Sequence, residues 1–218
     1  MNPQALLDEL PIERRLAMAY APAAARPLTL GLFALDTRLA GIVRQASEPL
    51  LGQIRLAWWR EQLAADPAST PRGEPLLALL ADWGARRAAL SSLVDGWEAL
   101  LGGDMLLEEG LERFVHARGA AAALLAQALE QDGVSAEAEQ AGRAWAAAEL
   151  AVRLSDPAER AMALRMAGAA DWGRIKLPRA LRPLAVLHGL ARRKKGQGAL
   201  LSGPVDMLVA ARLGLTGF

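Results

Sequence analysis

Phe33-Ala-Leu-Asp-Thr-Arg-Leu-Ala-Gly-Ile-Val-Arg-Gln-Ala-Ser-Glu-Pro-Leu-Leu-Gly-Gln-Ile-Arg-Leu-Ala-Trp-Trp-Arg60 decides the fold of this chain. Its apolar residues recur at the three-to-four-residue spacing of a helix, and Glu48-Pro49 splits it in two. Pro49 suits the first turn of the second helix, where a missing N–H costs nothing. On that second helix Leu51, Ile54 and Trp58 form one stripe, and Leu56, Trp59 and Leu63 form its neighbour. The two stripes together predict a helix buried on more than one side. Both tryptophans then read as core, with the lining of a cavity for an apolar guest as the functional use of Trp58 or Trp59.

The same helical pattern fills the rest of the 218 residues. Hydrophobic residues make up 53% and aromatics 5%, so the apolar content is mainly alanine and leucine, both strong helix formers. The length suits a single domain spanning 1–218 with a sizeable core. Helices are predicted at roughly 4–20, 24–46, 49–64, 75–101, 105–131, 135–154, 156–168, 179–192 and 204–213, with ends uncertain by ~2–4 residues. Ser135 and Asp156 read as N-caps, the latter followed by Pro157 at the first helical position. The proline-rich run 66–75 and the basic, glycine-containing run 192–198 read as loops.

Charge and composition narrow the function classes. A formal net charge of +1 argues against a general nucleic-acid binder, and the absence of cysteine removes disulfides and thiolate metal sites. The first ten residues lack the basic and apolar segments of a secretory signal. No stretch reaches the ~20 uncharged apolar residues of a membrane span, since the longest apolar tract, 117–129, is short and contains Arg118. The expectation is a cytoplasmic protein. The mean hydropathy of +0.15 leaves room for peripheral contact with the inner membrane. Arg192-Arg-Lys-Lys195 reads as a solvated helix end, with anionic lipid headgroups as its other use. His116 and His188 have no nucleophile or acid at a telling spacing. The small-residue run from Ala117 to Ala126 lets a neighbouring backbone come close, a packing device that could equally leave room for a prenyl tail.

The block from Phe33 to Arg60 resembles the first core block of the squalene/phytoene synthase family, all-α enzymes that condense prenyl diphosphates. Further blocks extend the likeness over roughly residues 14–192. Leu93-Val-Asp-Gly-Trp-Glu-Ala-Leu100 resembles the family's Ile-Asp-Gly helix. Glu109 to Gly119 resembles its Tyr-Cys-x-x-Val-Ala-Gly block, with Phe114 and Val115 in place of Tyr and Cys. Trp172-Gly-Arg-Ile-Lys-Leu-Pro-Arg179 resembles its Gly-Arg-x-Tyr-Leu-Pro turn. The resemblance implies an isoprenoid-synthase-like helical bundle around a central cavity, or the collapsed remnant of one.

The residues that carry the family's chemistry depart from its pattern. The family holds Mg²⁺ against a diphosphate with carboxylates four residues apart on two facing helices, since Mg²⁺ needs hard oxygen ligands. Here Asp36 has Ala40 in the partner position, and the second motif offers only Glu149, Arg153 and Asp156. Asp36 and Glu149 are therefore expected to be solvated, or paired with Arg38, Arg44 or Arg153, and not to ligate metal. The likeness implies a pseudoenzyme without catalytic residues, metal or cofactor, with Mg²⁺ entering only if a prenyltransferase activity persists. Its Glu-Pro-Leu-Leu-Gly-Gln-Ile-Arg-Leu-Ala-Trp-Trp-Arg wording resembles a degenerate branch linked to assembly of respiratory complex I. That implies a membrane-protein assembly partner, or else an isoprenoid or lipid ligand. If a pocket persists, Asp36, Arg38, Arg55, Trp58 and Trp59 are the expected lining. Arg55 serves either as an anion anchor or as a helix clamp to Asp36 or Glu48.

Overall fold

The computed structural model describes residues 3–69, 71, 73–102 and 108–217, and every regular element among them is helical. In chain order these are α1 (Pro3–Asp8), α2 (Ile12–Met18), α3 (Arg26–Gln45), α4 (Pro49–Ala64), α5 (Pro75–Leu80), α6 (Ser91–Glu98), α7 (Glu108–Ala128), α8 (Ser135–Arg153), α9 (Pro157–Ala169), α10 (Arg182–Lys194) and α11 (Pro204–Thr216). The all-α expectation holds, and α4 occupies 49–64 as predicted.

Two predicted helices are broken, each for a local reason. The one expected over 4–20 divides into α1 and α2 at Pro11, which has no N–H to continue the ladder of the preceding turn. The one expected over 75–101 becomes α5, a 3-10 segment Ala81–Leu90 and α6. Gly84 sits inside that segment at φ 53°, which only glycine adopts cheaply. The expected start at 105 lies outside the described residues.

The caps divide in the same way. The Asp156 carboxylate accepts from the Ala158 and Glu159 backbone N–H groups at 2.9 Å, as a cap should. Ser135 does not cap. It is already the first residue of α8, Val134 holds the cap position, and the Ser135 hydroxyl is buried without a hydrogen-bond partner. The run 192–198 is not a plain loop either, because α10 continues to Lys194 and ends with Lys195 in the left-handed conformation.

Two helices organise the core. α3 buries Leu30, Phe33, Leu35 and Leu39 against α4, α5, α6 and α7. α8 is sheathed in buried alanines and packs against α7, α9 and α10. The α7–α8 crossing is close because small residues meet there. A Cβ placed on Gly142 would lie 2.7 Å from the Ala122 Cβ and 3.0 Å from the Arg118 carbonyl oxygen. The small-residue run in α7 thus acts as a packing device. Gly142→Leu is expected to force the two backbones apart at a cost of about 1–3 kcal/mol or more, read as a lowered urea midpoint. That spacing matters beyond stability, because α7 and α8 each carry one charged side chain inward beside it.

Candidate functional site

Four charged side chains meet in the centre of the bundle. Arg14 comes from α2, Asp36 from α3, Arg118 from α7 and Glu149 from α8, and none is more than 4% exposed. The Asp36 Oδ2 forms an ion pair with Arg14 Nη2 at 2.7 Å and accepts from Arg118 Nη2 at 2.9 Å, while its Oδ1 accepts from the Trp97 indole at 2.7 Å. The Glu149 Oε2 accepts from Arg118 Nη1 at 2.7 Å, and Arg14 Nη2 lies 3.3 Å from both Glu149 oxygens. Half-exposed Arg153, one turn further along α8, donates to Glu149 Oε1 at 2.6 Å. Arg14 also bonds the Thr37 hydroxyl at 3.0 Å.

Aromatic faces close the network. The Arg118 guanidinium lies 4.5 Å from the Phe114 ring centre, 4.6 Å from Trp145 and 5.6 Å from Trp97. Arg14 lies 5.0 Å from Trp145. Such rings hold a weakly hydrated guanidinium better than an ammonium, which suits arginine to a buried pair. Burial alone would raise the Glu149 carboxyl, but Arg118, Arg14 and Arg153 outweigh it and hold the acid well below the usual carboxylate range. Burial likewise opposes the charged form of Arg14, and Asp36 with Glu149 more than restores it. Two formal positive and two formal negative charges share the centre, so it is balanced without a further ion.

The residues do not fit a Mg²⁺–diphosphate site. Every oxygen of Asp36 and Glu149 already accepts from a guanidinium or an indole. The void beside Asp36 and Arg118, walled by Phe33, Leu93 and Trp145, is about 10 Å³. That is room for one water at most. Among the described residues, no group of three or more His, Asp or Glu could hold a metal ion.

The expected lining is scattered. Asp36 is central, but its partners are Arg14 and Arg118, not Arg38 or Arg44; of the expected pairs, only that of Glu149 with Arg153 forms. Neither carboxylate is solvated. Arg38 points to the rim, bonding Glu74 at 3.0 Å and Glu9 at 3.4 Å, 5.9 Å from the Trp59 ring. Trp59 is core, at 3% exposure. Trp58 stands edge-on to it but is 36% exposed. Arg55 is exposed and pairs with neither Asp36 nor Glu48. The clamp between α4 and α6 is instead Arg60, bonded to Asp95 and Glu98.

The prediction that α4 is buried on more than one side fails. Leu56, Trp59 and Leu63 face the core, but Leu50, Leu51 and Ile54 are 63%, 47% and 58% exposed. The Leu56–Trp59–Leu63 stripe faces the core, and the Leu51–Ile54–Trp58 stripe is left to solvent.

Arg14, Arg118, Trp97 and Trp145 lie outside the lining expected from the sequence. A signal existed for two of them. Arg118 interrupts an otherwise apolar tract, and Trp145, Glu149 and Arg153 are spaced by four on α8, so they share a face.

No family model matches the chain, nor does any curated protein or solved structure.

Proposed function

We propose that this protein is a squalene/phytoene synthase-like pseudoenzyme that works by binding, as an assembly protein for a membrane-embedded respiratory complex. The observation that carries the reading is the buried Arg14–Asp36–Arg118–Glu149 network. The two acids that the resemblance aligns with the metal motifs are paired with arginines, and the void beside Asp36 and Arg118 is only about 10 Å³.

A binding role also needs a surface, and the exposed stripe of α4 supplies one. Leu50, Leu51, Ile54 and Trp58 present apolar area at helical spacing, suited to an apolar helix of the assembly partner. No helix among the described residues is long and apolar enough to cross a membrane. The place of action that goes with this reading is the cytoplasmic side of the inner membrane, by peripheral contact.

A second reading, an isoprenoid or lipid carrier, draws support from a cleft of about 470 Å³ between α7, α8 and α9. Val115, Ala147 and Met166 make its floor, and Glu139, Arg143 and Asp171 its charged edge. That volume is within the range of small-molecule pockets. This reading requires apolar ligand uptake that ignores Mg²⁺.

Restoring one acid tests the pseudoenzyme reading. Ala40→Asp places a carboxylate one helical turn from Asp36, and Ala40 is only partly buried, so the fold should accept it. The variant is expected to release no pyrophosphate from a prenyl diphosphate with Mg²⁺, because Asp36 stays bound to two arginines. Turnover in Ala40→Asp would overturn the reading.

A further inference from the structure

Away from the central network, α10, α11 and the turn before α10 enclose a second polar cavity, of about 60 Å³. Three arginines line it, Arg174 from the turn, Arg192 from α10 and Arg212 from α11, and none of the described lining residues is acidic. None of the three makes a side-chain hydrogen bond or ion pair among the described residues, although their neighbours do. Arg193 and Lys194 both bond Asp206, at 2.9 and 3.0 Å. Arg192 is thus left over from a basic run whose other members are partly satisfied. All three are exposed, so an arriving anion would meet three guanidinium groups without displacing an ion pair among the described residues.

The fourth wall is a histidine. His188 is one turn before Arg192 on α10, is 5% exposed, and its Nε2 is buried without a hydrogen-bond partner. A buried ring nitrogen left unpaired is costly and uncommon in native proteins. The ring is held in place by Trp172, which stacks on it at 5.8 Å and 27° while its own indole bonds the Ala167 carbonyl at 2.7 Å. Burial first, and then Arg192, push the imidazole down to about 4. Asp171, the acid that opposes this, accepts from the Gly173 N–H at 2.8 Å and lies outside the cavity lining. At neutral pH the imidazole is uncharged and its Nε2 is out of reach of water, so the ring forms a neutral wall while the arginines supply the charge.

We infer that Arg174, Arg192, Arg212 and His188 form a binding site for a single phosphate group, a phosphate monoester or inorganic phosphate. Guanidinium forks match the oxygens of such a dianion. The cavity is compact, which favours one phosphate over a diphosphate with its prenyl tail. The site does not depend on the pseudoenzyme reading, since it shares no residue with the central network.

The same chemistry has two sources, free phosphate or a phosphomonoester lipid headgroup. Val205, Leu208 and Leu215 flank Arg212 along one face of α11 and are 50%, 69% and 75% exposed, which places apolar area beside the cavity.

Two arms on the full-length protein test the site. One titrates inorganic phosphate and follows heat and tryptophan fluorescence. The other sediments the protein with phosphatidylcholine vesicles, with and without phosphatidic acid. Saturable phosphate binding, or sedimentation that requires phosphatidic acid, is expected, weakened at least tenfold by Arg192→Gln and by Arg212→Gln while the far-ultraviolet circular dichroism is unchanged. Phosphate binding without sedimentation assigns the site to free phosphate, and sedimentation that phosphate does not match assigns it to the headgroup. If a variant loses helicity, Arg174→Gln provides the same comparison. Absence of saturable binding in both arms, or binding that these substitutions leave unchanged, would overturn the site.

Discussion

Arg118→Ala is expected to destabilise the protein by about 3–5 kcal/mol, the usual cost of removing one partner from a buried ion pair. The substitution leaves Asp36 with Arg14 and the Trp97 indole, and Glu149 with Arg14 and half-exposed Arg153. Two fully buried carboxylates would then share one fully buried cation. The guanidinium also fills the space between Phe114, Trp97 and Trp145, so its loss opens a gap among three rings. In a chain of this size each kcal/mol moves the melting temperature by roughly 2–4 °C, so a fall of roughly 6–20 °C is expected by calorimetry. Arg55→Ala provides the control. That side chain is exposed and stays within about 0.5 kcal/mol, as surface substitutions usually do. Equal effects of the two substitutions would mean that the central network is not what holds the helices in register.

Glu149→Gln is expected to cost a similar amount, about 3–5 kcal/mol at neutral pH, and also to change how stability depends on acid. Glu149 is held below its unfolded value of 4.5 by three arginines. A carboxyl with a depressed folded pKa contributes stability that is fully present above its unfolded pKa. That contribution is lost as pH falls towards the folded pKa. The parent protein should therefore lose stability below about pH 4.5, at up to about 1.4 kcal/mol per pH unit from this group. In Glu149→Gln that part of the slope disappears, so the gap between the two proteins narrows on acidification. Urea midpoints from pH 7 down to pH 3 give the comparison. A gap that stays constant across that range would show that Glu149 is not ionised against Arg14 and Arg118.

The sequence discloses the architecture better than the centre. Helix content follows from alanine and leucine, and the extent of α4 follows from Pro49 and the helical spacing after it. Asp156-Pro157 reads correctly because a cap is a local event, with donor and acceptor two or three residues apart. Ser135 misleads because Val134 takes the cap position and the chain enters α8 one residue earlier than a serine cap requires. The hidden part is the partner choice of Asp36. Its arginines lie 22 residues before it and 82 residues after it, and no local pattern joins them. Arg14 and Arg15 look alike in the sequence, yet only Arg14 turns inward. Trp58 and Trp59 show the same limit, since helical spacing defines two stripes but not which of them another helix covers.

A conserved-volume exchange would separate the structural from the functional meaning of the network, but ligand binding by the unmodified protein is more direct. Titrating a prenyl diphosphate such as farnesyl diphosphate into the full chain by calorimetry, with Mg²⁺ and with excess chelator, asks whether Asp36 and Glu149 act on a metal or on arginines. If they act on arginines, the two titrations match and no pyrophosphate is released. Micromolar affinity that requires Mg²⁺, followed by pyrophosphate release, would contradict the account.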